Sequence, residues 1–279
     1  LAGLDRLHRA RPELHSIAML YAELITTLFS SCPPSIQIQS TPDEIAEQWA
    51  AGTPLFRLEA PGIDPRLVLD NWCTVCRVLA RHRDPSEPDR LQRAACSGIL
   101  SPAGMLLVTF RQGPNEYLEW LARKGFDGAL GASVLRFTAL PLLAPYTASV
   151  QSLWRRGCWP HGFCFVCGSW PLLAETRGLE QFRWLRCGLC SAGWQVDRLF
   201  CPFCQSRDHR SLHEFCVEGD EQKHRLTVCD ACRGFLRTVS TLTELSVPGL
   251  LVSELETIHW EFVAAERGYS IPHRAGNAG

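Results

Sequence analysis

No charge of one sign dominates this chain of 279 residues, in which 28 Lys and Arg face 29 Asp and Glu for a formal net charge of -1. That balance removes the electrostatic case for nucleic acid or an anionic membrane surface as a partner. No apolar run reaches the ~18 residues that a membrane span needs, so no span is expected. The opening residues, Leu1-Ala2-Gly3-Leu4-Asp5-Arg6, lack a basic stretch followed by a short apolar core. No secretory leader is therefore expected. Position 1 is not Met, which leaves the natural start open. The chain also has no glycine-rich phosphate loop, no G-x-S-x-G elbow and no low-complexity tract, so enzymes built on those devices are excluded.

Cysteine is what the chain has in excess: fourteen residues, most of them between Cys158 and Cys232. Secreted disulfide scaffolds are small and this chain is not, whereas in a reducing compartment such spacing reads as metal ligation. Four Cys-x-x-Cys pairs follow in order: Cys164/Cys167, Cys187/Cys190, Cys201/Cys204 and Cys229/Cys232. Two intervening residues let the chain turn so that both sulfurs point inward while backbone N–H groups face them. Two such turns facing each other make a closed tetrahedral site for zinc or rubredoxin-type iron.

Neighbouring pairs are expected to combine. Cys164, Cys167, Cys187 and Cys190 then hold one ion, and Cys201, Cys204, Cys229 and Cys232 hold the other. An interleaved cross-brace, first pair with third and second with fourth, is the alternative. Each site is expected to contribute on the order of 10 kcal/mol of apparent folding free energy, so the region should unfold without metal. Gly168 suits the positive φ that such turns favour, while Ser191, Gln205 and Arg233 occupy the equivalent places in the other three. A closed tetrathiolate leaves no position for water or substrate, which argues against an enzyme. Two other readings stay open. Iron would allow a rubredoxin-like electron-transfer protein. A zinc-ribbon nucleic-acid binder would gain little from the ten basic and nine acidic residues of 158–240.

The remaining thiols read as packing. Cys73/Cys76 lies inside a predicted helix and is expected in its core, and Cys32 and Cys96 are expected to be buried small hydrophobes. Cys158 and Cys216 flank the metal region as filler. His161, His209, His213 and His224 are expected at turns and surface rather than beside the metal.

The fold class expected is α+β: an N-terminal helical domain over 1–157, rubredoxin-like (zinc-ribbon-like) metal subdomains over 158–197 and 198–240, and a C-terminal helix within 241–279 packing back. Ser16 to Phe29 carries Ile17, Leu20, Leu24 and Leu28 on one helical face. Thr41-Pro42-Asp43-Glu44 is a helix start. Helices are also expected over Pro65 to His82, Asp89 to Leu100, Asn115 to Lys124 and Val134 to Leu153, the last interrupted by Pro141 and Pro145. Asp84 to Pro88 is expected as a loop. Phe182–Arg186, Trp194–Val196 and Leu226–Val228 alternate as short strands do. Residues 250–267 return to helical periodicity through Leu251, Leu255, Ile258, Phe262 and Ala265.

Taken in order, the motifs resemble those of the bacterial formate dehydrogenase accessory protein, the FdhE family. Cys164-Phe-Val-Cys-Gly-Ser-Trp-Pro171 is similar to that family's C-P-x-C-G-S-x-P. Cys187-Gly-Leu-Cys190 leads to Trp194, then Cys201-Pro-Phe-Cys204. Cys229-Asp-Ala-Cys-Arg-Gly-Phe-Leu236 resembles C-D-x-C-x-x-Y-L, and Glu266-Arg-Gly-Tyr269 the closing E-x-G-Y. Phe165 stands where the family has Pro, Ser191 where it has Gly, and Glu254 and Glu261 where it tends to Asp. The resemblance implies a cytoplasmic, non-catalytic assembly factor. It would bind the catalytic subunit of a molybdenum- or tungsten-dependent formate dehydrogenase and be needed for active enzyme, with rubredoxin-like iron as the implied metal. A second copy of the chain stands as a further candidate partner.

Overall fold

The computed structural model describes residues 3–4, 7, 9, 11–30, 38–113, 115–155, 157–216 and 223–272. Its helices are α1 His15–Leu28, α2 Pro42–Ala50, α3 Leu55–Leu58, α4 Pro65–His82, α5 Ser86–Cys96, α6 Pro102–Gln112, α7 Asn115–Arg123 and α8 Gly128–Gln151. Strands β1 Pro171–Arg177, β2 Phe182–Cys187, β3 Gly193–Val196, β4 Leu212–Phe215, β5 His224–Cys229 and β6 Gly234–Thr241 follow, then α9 Val247–Glu256 and α10 His259–Glu266. The chain clusters into two compact units, Leu1–Gln39 with Phe56–Ser149, and Ser40–Leu55 with Val150–Gly279.

In the first unit, one recurring device starts helices: an oxygen-bearing cap followed by proline. Asp64 accepts from the Arg66 N–H ahead of Pro65, and Ser101 accepts from the Gly104 N–H ahead of Pro102. Proline at the first position loses no hydrogen bond and presets φ. α4 buries Val68, Trp72, Val75, Cys76, Val78 and Leu79 along one face. Of the loop expected over Asp84 to Pro88, Asp84 and Pro85 are outside any helix, but Ser86 to Pro88 form the first turn of α5, where Pro88 is tolerated because first-turn N–H groups have no partner within the helix. α6 was not foreseen; Gly104, Val108 and Thr109 weaken its helical propensity, and burial of Met105, Leu106 and Phe110 offsets that.

α8 runs unbroken through Pro141 and Pro145, contrary to the interruption expected. An interior proline costs about 3 kcal/mol, and this helix buries Val134, Leu135, Leu140, Leu143, Tyr146 and Val150, enough apolar surface to offset that. By length and mean composition α8 is the one described helix that could span a membrane, but Arg136 interrupts its apolar run and 61% of its most apolar window is buried inside the protein.

In the second unit, α2 begins with the expected Thr41, and the cap is reciprocal: Thr41 Oγ1 accepts from the Glu44 N–H while the Glu44 carboxylate accepts from the Thr41 N–H at 2.7 Å. The clustering differs from a division at residue 157, because Ser40–Leu55 groups with the strands. Its anchor is the Phe165 carbonyl, which accepts from the Trp49 indole at 3.1 Å and from the Leu55 N–H at 2.9 Å.

The two rubredoxin-like regions expected at 158–197 and 198–240 are not separate bodies. All six strands form a single sheet in the order β3-β2-β1-β6-β5-β4. Each half is an antiparallel meander, and the halves join through parallel pairing of β1 with β6, Ala174 opposite Thr238 through Arg177 opposite Thr241. Strand β1 was missed because its alternation is broken by Glu175. That carboxylate is fully buried, held at 2.6 Å by both Arg177 and Arg186.

The single C-terminal helix expected through 250–267 is two helices. Thr257 turns its hydroxyl back to the Ser253 carbonyl at 2.7 Å at the end of α9. Past the break α10 presents a different face: Trp260 and Ala264 are buried, and Phe262, expected inside, is exposed. Trp260, Ala264 and Tyr269 pack on Leu226, Val228 and Phe235 of β5 and β6.

Candidate metal centres

Each Cys-x-x-Cys pair forms a tight turn, and four backbone details recur. The residue after the second cysteine has positive φ in every turn: Gly168 at 77°, Ser191 at 67°, Gln205 at 61° and Arg233 at 58°. In the first three turns its N–H returns to the carbonyl of the first cysteine, at 2.9, 3.2 and 2.9 Å. The first cysteine's own N–H donates to Ser169, Ala192 and Ser206 carbonyls. The Val166 and Leu189 N–H groups donate to the Cys164 and Cys187 sulfurs, both at 3.4 Å. The turn thus aims N–H dipoles at sulfur, which stabilises thiolate charge.

The eight cysteines come together as two groups of four in the neighbour arrangement, and the cross-brace does not occur. Within each group the ligand atoms all lie within 4.8 Å of one another. Facing sulfurs are 3.5 Å apart for Cys164–Cys190, 3.4 Å for Cys167–Cys187, 3.6 Å for Cys201–Cys232 and 3.7 Å for Cys204–Cys229. Four sulfurs at ~2.3 Å from a tetrahedral ion are ~3.8 Å apart, so the donor set, its number and its spacing suit zinc or ferrous iron. Burial pushes the Cys164, Cys190 and Cys201 thiols up from their ordinary range, while in each group one cysteine, Cys187 or Cys229, is held below it despite burial by the hydrogen bonds it accepts. Each group therefore already favours thiolate at one sulfur, and a cation would stabilise it at the others.

The groups differ in exposure. In the first, Cys164, Cys187 and Cys190 are fully buried and Cys167 is nearly so. In the second, Cys201 and Cys229 are buried, Cys232 is half-buried and Cys204 is exposed. Phe165, the departure from Pro, supports the closed group: its ring meets Trp49 edge-on at 5.1 Å and Trp194 at 6.3 Å, under the carbonyl contacts that anchor α2.

Three arginines hold these turns, a side-chain role that sequence reasoning gave to none of them. Arg186, paired with buried Glu175, donates to the Ser191 carbonyl at 3.2 Å. Arg183 donates to the Phe200 carbonyl at 2.6 Å, just before Cys201. Arg233 donates to the Arg267 and Gly268 carbonyls and lies over the Tyr269 ring at 3.9 Å. The only sequence signal was position: Arg186 precedes Cys187 and Arg233 follows Cys232.

Tyr269 in turn donates to Asp230 at 2.6 Å, and that bond, with His213 and Arg233 nearby, holds the Asp230 carboxyl below its usual range. The closing Glu-Arg-Gly-Tyr segment therefore braces the fourth turn. Tyr269→Phe keeps the ring under Arg233 but removes the hydroxyl. It is expected to speed chelator-driven metal loss from the second group a few-fold, leaving the first unchanged, as read by stopped-flow with a chromogenic chelator.

Of the other candidates, His161 stacks on Phe163, His209 is exposed, His213 contacts Asp230 at 3.0 Å and His224 is buried near Glu256. Cys158 is half-buried and Cys216 exposed. Cys96, expected inside, is exposed, and Cys73 is only half-buried. Cys32 lies outside the described residues.

No family model matches the chain. It is 26% identical over 151 residues to the Protein FdhE homolog of Aquifex aeolicus, covering 51% of this chain and 52% of that one. It is 27% identical over 113 residues to Protein FdhE of Escherichia coli O127:H6, covering 39% and 35%. To Protein FdhE of Salmonella choleraesuis it is 36% identical over 81 residues, covering 27% and 24%. The chain thus spans about half, or less, of the length of the curated relatives it matches. The crystal structure of the FdhE protein from Pseudomonas aeruginosa has the same fold, with a TM-score of 0.62 at 18% identity, over 100% of this chain and 94% of that one. The chain is thus similar in sequence, over part of its length, to several FdhE proteins, and it shares the fold of one of them along its whole length.

Proposed function

We propose that this protein is an accessory factor for formate dehydrogenase maturation that acts without catalysis of its own. The observation that carries the reading is the pair of four-cysteine groups on one sheet, in a chain with the fold of an FdhE protein. Cys164, Cys167, Cys187 and Cys190 would hold one ion, and Cys201, Cys204, Cys229 and Cys232 the other. Four thiolates fill a tetrahedral ion, so neither group offers a position to water or substrate. The chemistry points to architecture, with the sheet and its flanking helices as a platform for another protein.

The partner in this reading is the catalytic subunit of a molybdenum- or tungsten-dependent formate dehydrogenase, met in the cytoplasm before assembly. Zinc would make both groups purely structural, whereas iron would supply a one-electron change. The exposed Cys204 edge favours the second group for any such response, since electron exchange needs a short path to the surface.

The test is genetic and biochemical together. Deleting the gene should abolish formate oxidation while the catalytic subunit is still synthesised. Tagged protein, purified without air, should retain that subunit. Normal formate oxidation in the deletion strain would sink the proposal.

A further inference from the structure

Cys73 and Cys76 occupy adjacent turns of α4, but their sulfurs meet different surroundings. Cys76 is fully buried, Cys73 is half-buried, and Cys96, the last residue of α5, is exposed. The Cys73 and Cys96 sulfurs lie 3.5 Å apart, brought together across 23 positions of sequence. Both belong to the helical unit and to neither metal group. Among the described residues, clusters of three or more metal-ligating side chains occur only at the two tetrathiol groups, so Cys73 and Cys96 form a dithiol rather than part of a third metal site.

We propose that Cys73 and Cys96 are a reversible oxidation site that closes to a disulfide under hydrogen peroxide. The exposed Cys96 sulfur attacks the peroxide O–O bond, becomes a sulfenic acid and releases one water. The Cys73 sulfur then attacks the Cys96 sulfur. The S–S bond forms as the S–O bond breaks, and the departing hydroxyl leaves as a second water with the Cys73 proton. Two thiols lose two hydrogens and one peroxide becomes two waters.

The order of attack follows from placement. Cys73 is the more enclosed partner, and burial together with the facing Cys96 sulfur pushes its thiol up to about 11, so it is poorly suited to meet the oxidant first. A disulfide needs ~2.05 Å between sulfurs, an approach of about 1.5 Å, which side-chain rotation at the end of α5 can supply. Cys76, sealed in the core of α4, has no such route.

The experiment uses the full-length protein purified without air. It is treated with one equivalent of hydrogen peroxide, its remaining thiols are alkylated, and it is digested with trypsin. Cys73 and Cys76 fall in the peptide 67–77 and Cys96 in 94–111. The expected product joins these two peptides, weighs two hydrogens less than their sum, and separates on reduction. The link should persist in Cys76→Ser and vanish in Cys73→Ser and in Cys96→Ser, the last an exposed position that tolerates exchange. The linked protein should melt several degrees higher than the reduced one, because the bridge restricts the unfolded chain. Cys96 found only as sulfenic or sulfinic acid, a bridge that requires Cys76, or bridges confined to metal-group cysteines would each overturn the proposal.

Discussion

Cys187→Ser should leave the protein without a folded sheet, whereas Cys204→Ser should leave it folded and short of one ion. Cys187 ends β2, pairs with Pro171 of β1 and is fully buried, so a lost thiolate there unmakes a closed site on which two strands end. A structural tetrathiolate contributes on the order of 10 kcal/mol, comparable with the whole net stability of an ordinary domain. Cys204 is exposed, so water can replace the missing ligand and its turn can relax without opening the core. The same asymmetry predicts two-step metal loss: a chelator should strip the second group first, and the sheet should unfold only as the first is emptied. Metal-to-protein ratios and far-ultraviolet circular dichroism, followed together during chelation, check this. Loss of both ions at one rate, or a Cys187→Ser protein that still carries two, would contradict the role assigned to burial.

Gly162→Ala should be the most damaging single methyl in the strand unit. A Cβ at Gly162 would stand 1.8 Å from the Pro202 carbonyl oxygen and 2.3 Å from its carbonyl carbon, so backbone meets backbone. Neither side can yield easily. The Trp194 indole donates to the His161 carbonyl at 3.0 Å, the Trp159 indole to the Phe163 carbonyl at 2.6 Å, and Pro202 directly follows the ligand Cys201. Overpacking that side chains can absorb costs about 1–3 kcal/mol, and a backbone clash belongs at or above the top of that range. The expected result is a large fall in melting temperature with weakened metal retention in the second group. Gly178→Ala is the control: its φ is +67° but nothing lies within 4 Å of the added carbon, so only about 1 kcal/mol of left-handed strain is expected. Equal melting temperatures for the two variants would refute the close-approach account.

Spacing made the turns legible. Two residues between cysteines prescribe a local geometry whatever surrounds it, and so the positive φ at Gly168, Ser191, Gln205 and Arg233 could be anticipated from position alone. The Thr41 cap was legible for the same reason, since its partner Glu44 is three residues away. The parallel pairing of β1 with β6 was not, because Ala174 and Thr238 are far apart in sequence and β1 hides its strand character behind a buried Glu175 that only Arg177 and Arg186 make tolerable. Nor was the grouping of 40–55 with the strands, which depends on two hydrogen bonds to one carbonyl, that of Phe165. The split of the last helix at Thr257 and Ile258 was not legible either, and with it Trp260 rather than Phe262 lies at the core.

The sequence alone thus determined which eight cysteines sit in Cys-x-x-Cys turns, because short-range backbone geometry selects the turn, and it left the choice between neighbour pairing and a cross-brace to the tertiary structure. Tertiary structure decided that the groups share one sheet, that the first is sealed and the second has an open edge, and that Cys73 faces Cys96 rather than Cys76. Those outcomes depend on long-range contacts, where burial of a whole surface outweighs any preference of a local segment.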